Sequence, residues 1–415
     1  MSRKMRHSGI EWLGEIPYHW KLHQFRRLFV IRKQIAGKIG YDVLSVTQNG
    51  IRVKDLSKNE GQIAQDYSNY QMVDINDYVM NHMDLLTGYI DCSERIGVTS
   101  PDYRVFRAID KSSISLYYYL LIFQTCYKEK IFYHLGQGVS GFGRWRLPAE
   151  QLKLFVLPMP PIEEQQQITI YLKKKCIDIN NLLTLQVQII EELKAYKKSI
   201  IIEAVTKGLN LNVPMRSSGI DWIGEIPKHW DIIKIGFLFE NLDYLRKPIS
   251  AEQRERNNPQ YDYYGASGVI DKIDHYNVDD KVLLIGEDGA NLVMRNLPLI
   301  YKAEGRFWVN NHAHILKPIN SDYDYMAHVL EAANYRNYIT GSAQPKLSQE
   351  NLQAVKLPVP PIQEQKAIAS YLNKKCLEID SLIAIKQAKI EELKEYKKSV
   401  IYEYVTGKKE VPYGE

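Results

Sequence analysis

The stretch with the strongest claim to chemistry is Asn310-Asn311-His312-Ala313-His314. Alternate residues of a strand share a face, so His312 and His314 would offer two imidazoles to one metal. A metal-dependent nuclease is the catalytic reading of that pair. No carboxylate accompanies it at a recognisable spacing, so a polar cluster that reads bases or satisfies the core accounts for it better. Gly286-Glu287-Asp288-Gly289-Ala290-Asn291 reads as a turn at a strand end, its carboxylates accepting from cytosine or from backbone amides. No Gly-x-x-x-x-Gly-Lys-[Ser/Thr] loop is present to cradle a nucleotide.

Other side chains suit DNA. Arginine presents a fork to guanine, asparagine and glutamine present one to adenine, and glycine lets backbone amides approach phosphate. Gln137, Ser140, Arg144 and Arg146 lie in one Gly-containing basic loop, and Gln344 and Lys346 in another. At an offset of 200 residues, Gly141 matches Gly341, Arg146 matches Lys346 and Leu147 matches Leu347. Thr47, Gln48 and Asn49 at a predicted hairpin, with Ser267, Asn291, Arg306, Asn310, Asn311 and His312, complete the candidate DNA contacts. Asn258-Pro259-Gln260-Tyr261 resembles the Asn-Pro-Pro-Tyr of amino-methyltransferases, but it lacks the second proline and reads as a turn.

The elements that must position these residues are repeated. Residues 157–201 match 357–401 at 25 of 45 positions, from Leu-Pro-x-Pro-Pro-Ile through Ile-Glu-Glu-Leu-Lys-x-Tyr-Lys-Lys-Ser. Ile168, Leu172, Ile179, Leu182, Ile189, Leu193, Tyr196 and Ile200 fall at helical spacing. So do Ile368, Leu372, Ile379, Leu382, Ile390, Leu393, Tyr396 and Val400. Each set predicts a long helix with one apolar stripe, and its natural partner is the other copy. Upstream, 5–20 matches 215–230 at 12 of 16 positions, including Trp12, Pro17 and Trp20 against Trp222, Pro227 and Trp230, which read as staples to a core. Two unlike inserts, 21–156 and 231–356, sit between the repeats.

The first insert reads as strands at Val43–Thr47 and Tyr78–Met80 with a helix over Ser115–Tyr127. The second has strands at Tyr261–Tyr264, Val282–Ile285 and Phe307–Val309 and a helix over Tyr323–Ala333. The C-terminal Val-Thr-Gly…Val411-Pro412 echoes the inter-repeat Val-Thr-Lys-Gly…Val213-Pro214. That echo predicts a cyclic pair of halves, related by a pseudo-twofold, with adjacent termini. The expected domains are 1–156, 157–207, 208–356 and 357–415.

Composition sets limits. The 415 residues carry a formal net charge of +5. Residues 21–156 hold 18 Lys/Arg against 13 Asp/Glu, and 231–356 hold 14 against 17, so only the first insert has a bulk polyanion signature. Cys92, Cys126, Cys176 and Cys376 show no CxxC spacing and read as packing residues. With no signal peptide and no apolar run long enough for a bilayer, the sequence predicts a cytoplasmic chain without membrane contact.

Two unlike modules, each preceded by Trp-x-Gly-Glu-Ile-Pro-x-His-Trp and followed by a Leu-Pro-x-Pro-Pro-x-x-Glu-Gln helix, resemble the specificity (S) subunit of type I restriction–modification enzymes. The resemblance spans essentially the whole chain. It implies an α+β fold, two mixed α/β target recognition domains separated by an antiparallel coiled coil of two long helices. It implies double-stranded DNA as ligand and no catalysis or cofactor in this chain. It also implies two methylation (M) subunits with S-adenosylmethionine, and restriction (R) subunits with ATP and Mg2+. Glu164, Gln165, Tyr171, Glu364, Gln365 and Tyr371 are the expected partner contacts, and the pseudo-twofold predicts that both copies dock M alike. The rival readings are the nuclease above, a coiled-coil scaffold without a DNA role, and a subunit serving methylation only.

Overall fold

The structure is a computed structural model describing residues 3–55, 67–138, 145–210, 212–250, 260–341 and 343–412. The turn expected at Asn258-Pro259, and Ser140 and Arg144, lie outside the described residues. The chain divides into two units: Met1–Gln186 with Ala388–Glu415, and Val187–Gln387. Each unit therefore holds one insert, the N-terminal part of the helix that follows it and the C-terminal part of the other long helix.

In the first unit the insert is closed by a clasp. Lys21–Gln24 pairs antiparallel with Val156–Met159, so the incoming and outgoing chains lie side by side. Pro158 cannot donate to a ladder and so suits this two-stranded ribbon, where its carbonyl accepts from the Tyr119 hydroxyl at 3.0 Å. Between the clasp strands run β1 (Phe29–Arg32), β2 (Tyr78–Met80), β3 (Ile90–Cys92) and β4 (Arg104–Ala108), an antiparallel sheet in the order β1-β4-β2-β3. Helix α1 (Leu116–Lys128) packs on it through an aromatic core of Phe25, Phe29, Tyr78, Phe106, Tyr119 and Phe123.

Helix α2 (Ile162–Lys207) starts behind Pro160-Pro161, prolines that preset φ where no amide donor is required, with Glu163 and Glu164 facing the positive end of its dipole. Residues of its N-terminal half lie antiparallel to 388–405: Tyr171 meets Tyr404 with ring centroids 4.6 Å apart and planes tilted 40°, and Lys397 reaches Asn180 at 2.8 Å. The Tyr402 hydroxyl bonds the Trp12 carbonyl, and Lys408 that of Leu13, both at 2.7 Å. The N-terminal motif is thus bound to the end of the chain, as cyclic closure requires.

The second unit repeats the plan. Asp231–Lys234 pairs with Lys356–Val359 as the clasp. Within it are β5 (Phe239–Asn241), β6 (Tyr261–Gly265), β7 (Gly268–Ile273), β8 (Val278–Gly286), β9 (Ile300–Val309) and β10 (Ala313–Pro318). They form a six-stranded sheet in the order β5-β10-β8-β9-β6-β7, antiparallel except for β6 on β9. Helix α3 (Tyr323–Ala332), capped by the Asp322 carboxylate, covers it, and α4 (Ile362–Val405) follows the clasp. The 188–207 part of α2 runs antiparallel to the start of α4, with Lys197 bonded to both Asp380 oxygens at 2.7 Å.

The predicted stripe is buried at Ile168, Leu172, Ile179, Ile200, Ile368, Leu372, Ile379 and Val400. Leu182, Leu382, Tyr196 and Tyr396 depart from it, each about half exposed. Toward mid-helix there is no insert core to cover them. Cys126, Cys176 and Cys376 are buried free thiols. Among the described residues no helix is long and apolar enough to cross a membrane.

Candidate nucleic-acid interface

The frame residues come first, because they explain what the repeats do. Gln165 is fully buried: its Oε1 accepts from the Ser115 amide at 2.8 Å, and its Nε2 donates to the carbonyls of Ser113 and Pro160. Gln365 does the same for the Asp322 amide and the Pro360 carbonyl. Glu164 accepts from Trp20 Nε1 and contacts His19, both at 2.9 Å, and also binds Arg3; Glu364 takes Trp230 and His229. Burial acts to raise the Glu164 carboxyl, but the bonds from His19, Arg3 and Trp20 hold it below its ordinary value.

These contacts correct the expectation of partner binding at Gln165 and Gln365. Both side chains are buried and spent on joining the helix start to its insert, and Glu164 and Glu364 join it to the tryptophan motif. Tyr171 packs against Tyr404, their hydroxyls 3.2 Å apart, while Tyr371 stays partly exposed at 36%. The tryptophan motif is likewise structural, with Trp20 and Trp230 each 1% exposed.

In the second unit the sheet brings distant residues to one edge. β10 pairs with β5 and β8, which sets Asp243 and Glu287, each just beyond a strand end, against His314. His314 is fully buried, with Nδ1 2.6 Å from Asp243 Oδ2 and Nε2 2.8 Å from the Leu347 carbonyl. The Leu347 carbonyl can only accept, so Nε2 donates to it. Arg246 bonds Glu287 and lies 3.3 Å from Asp243, and Lys346 lies 3.0 Å from Glu287. Burial acts to raise both carboxyls, but His314 for Asp243, and Arg246 and Lys346 for Glu287, hold them below their ordinary values.

The loop that carries Lys346 is tied back by a bridge between Thr340 and Lys346, with both amide–carbonyl bonds at 2.8 Å. Gly341 takes φ +82° in that turn, where a Cβ would come within 2.4 Å of the Gln344 carbonyl. Gln344, Lys346, Asn311, His312 and Ser267 are exposed around this edge.

Four expectations change here. His312 lies in the turn before β10 rather than on the strand, and its Nδ1 meets Asp288 at 2.7 Å, so the shared-face argument for a metal pair fails. Among the described residues no group of three or more His, Cys, Asp or Glu is placed to hold an ion. Asn310 is buried and its Oδ1 accepts from the His312 amide, so it shapes the turn rather than facing a ligand. Asn291 is consumed within its own loop, bonding Leu297 and Pro298. Arg306 stands apart from the edge, bonded to Asp279 and lying over the Tyr276 ring.

The first unit builds the same edge from other side chains. Gln137 and Arg146 exchange backbone bonds at 2.9 and 3.1 Å, matching Thr340 and Lys346. The Leu147 amide bonds the His82 carbonyl as the Leu347 amide bonds that of Glu287. Buried Arg104 holds the Leu147 carbonyl at 3.0 Å, the place His314 takes in the other unit. Burial, and then the charges of Arg104 and Arg146, pull His82 down to about 4. Gln137 and Arg146 are exposed, and so are Gln48 and Asn49 on the hairpin tip, where the Thr47 hydroxyl bonds Gly50 and Gln48 reaches Thr87. Sequence reasoning missed His82, Arg104, Asp243 and Arg246, because only strand pairing brings them to the edge.

The chain belongs to the family described as type I restriction modification DNA specificity domain, which it matches over residues 30–195 and 227–395. The protein is thus a DNA specificity subunit of the type I restriction–modification kind. It is 25% identical over 95% of both chains to the type I restriction enzyme MjaX specificity subunit of Methanocaldococcus jannaschii. It is 34% identical over 29% of each chain to the EcoprrI specificity subunit of Escherichia coli. Its fold is shared with the HsdS subunit of Thermoanaerobacter tengcongensis (TM-score 0.55, 13% identity, 97% and 99% of the two chains). A chain from a structure describing complex assembly and conformational transition of the type I R-M system gives TM-score 0.72 at 12% identity, over 94% and 98%.

Proposed function

We propose that the chain is the sequence-reading adaptor of a type I complex and performs no catalysis itself. Each unit presents its loop edge to the major groove at one half of a bipartite, asymmetric target, and the paired helices set the unread gap. Two M subunits, which carry S-adenosylmethionine and methylate adenine, assemble on it, and R subunits supply ATP- and Mg2+-dependent translocation and cleavage. The observation that carries this reading is the equivalence of the two edges. Identical backbone bonds, at Leu147 and Leu347, support exposed side chains that differ: Gln48, Asn49, Gln137 and Arg146 in one, Asn311, His312, Gln344 and Lys346 in the other.

The test is methylome sequencing of cells expressing the chain with an M subunit, before and after residues 231–356 are exchanged for another insert. A split adenine-methylated motif that changes in one half supports the adaptor. Methylation that is absent, or unchanged by the exchange, overturns it. Adding one helical turn (about 5–6 Å) to one long helix is expected to widen the gap by about one or two base pairs.

A further inference from the structure

The second unit contains a groove of about 580 Å³ between the end of α3, the one-turn helix Asn291–Met294 and the last part of α2. Ile202, Trp222 and Met294 give it an apolar floor, and Lys198, Arg295 and Arg336 place three cations around it with no carboxylate in the lining. Arg295 holds a left-handed backbone at φ +54°. Its Nη2 caps the end of α3 at the carbonyls of Glu331 and Ala333 (3.0 and 2.8 Å), while its Nη1 is buried without a hydrogen-bond partner among the described residues. The Arg295 charge already acts on the buried Glu331 carboxyl, so the exposed Lys198 and Arg336 are the cations open to an anion. Met294 is 66% exposed and Val293 48%.

The matching place in the first unit is built differently. There Trp12, the counterpart of Trp222, is covered by Phe155, stacked at 5.6 Å and 11°. Position 355 is valine, and among the described residues no ring stacks on Trp222. A cleft in the first unit beside the repeated lysines is smaller, about 240 Å³, and includes Glu129.

We infer that the groove seats a partner-protein segment in which a large apolar side chain stands beside one or more carboxylates. A duplex backbone offers charge without the apolar group that the Trp222 floor requires, so protein fits better than DNA. Lys198 and Trp222 belong to the repeated frame, matching Lys398 and Trp12, while Ile202 lies one residue past the repeat, where the other copy has Tyr402. The inference rests on the adaptor reading, with the M subunit as the partner. It departs from the pseudo-twofold expectation that both halves dock M alike.

The experiment uses the full chain co-purified with its M subunit. Photo-crosslinking from p-benzoylphenylalanine in place of Met294 is expected to join an M segment containing Asp or Glu next to a large apolar residue. Lys198→Glu with Arg336→Glu, both at exposed positions, is expected to weaken one of the two M sites at least about tenfold, so that native mass shifts from two M to one. Lys398→Glu in the first unit should leave both bound. Two M subunits bound without a crosslink from position 294, or retained by the double variant, overturn the inference. A crosslink to DNA alone replaces the protein segment with a duplex contact. A wild-type chain that holds no M subunit overturns the adaptor reading itself, and does so before any groove variant is compared.

Discussion

The two loop edges of this protein hold one carbonyl in the same place by different means. In the first unit Arg104 donates to Leu147, and in the second His314 donates to Leu347 while its other nitrogen carries Asp243. The supporting bonds, from Gln165 and Gln365 to the clasps and from Trp20 and Trp230 to Glu164 and Glu364, are the same in both. The difference teaches where variation is tolerated. Residues joining an insert to its helix meet an identical partner in each half, so they repeat. Residues inside an insert need only satisfy one another, so they diverge while leaving the loops in register.

The largest test of this equivalence is removal of the tryptophan staples. Trp20→Ala and Trp230→Ala should each cost about 3–5 kcal/mol, for a fully buried indole. Amide exchange should loosen in the affected unit alone and by a similar amount in each. Unequal losses would break the equivalence of the frames.

The edges should respond unequally to loss of their internal donors. His314→Ala takes the imidazole from the buried Asp243 carboxylate, which keeps only the Ile315 amide and Arg246, and leaves the Leu347 carbonyl without a donor, at about 3–5 kcal/mol. Arg104→Ala leaves the Leu147 carbonyl, at about 1–3 kcal/mol. Exchange of the Leu347 and Leu147 amides reads each, and equal effects would show that the His314–Asp243 pair adds nothing.

Acid should separate the units in order. His82 sits at about 4 when folded against 6.5 when unfolded, so it takes up a proton on unfolding. Its unit is fully stable above pH 6.5 and loses on the order of 3 kcal/mol as the pH falls from there toward 4. Asp243 and Glu287 are held below their ordinary 3.8 and 4.5, so what they contribute is present above those values and is lost only in stronger acid. At pH 5 the Leu147 amide should be less protected relative to its intrinsic exchange rate than at pH 7, while the protection of Leu347 holds, and His82→Gln should abolish the difference.

The smallest effect on stability belongs to the exposed loop residues. Gln48→Ala and Gln344→Ala should stay within about 0.5 kcal/mol of the parent. Each should alter one half of the methylated motif and leave the other intact. A change in both halves would end the assignment of one edge to one half-site.

By itself the sequence determined the long helices, the repeated frame, the cyclic order and the equivalence of Arg146 with Lys346, because each is written as periodicity or as identity at constant offset. It also pointed to the DNA specificity family through motifs that span the chain. Tertiary structure alone decided that Gln165 and Gln365 face inward, since a glutamine after a helix-starting proline reads as surface until its insert supplies amides and carbonyls to bond. It alone placed His314 between Asp243 and Leu347, 71 and 33 residues away. It also took His312 off the strand and set Trp222 in the wall of a groove where Phe155 stacks on Trp12. Strand pairing brings residues together from any separation, and a single sequence carries no local trace of which strands will pair.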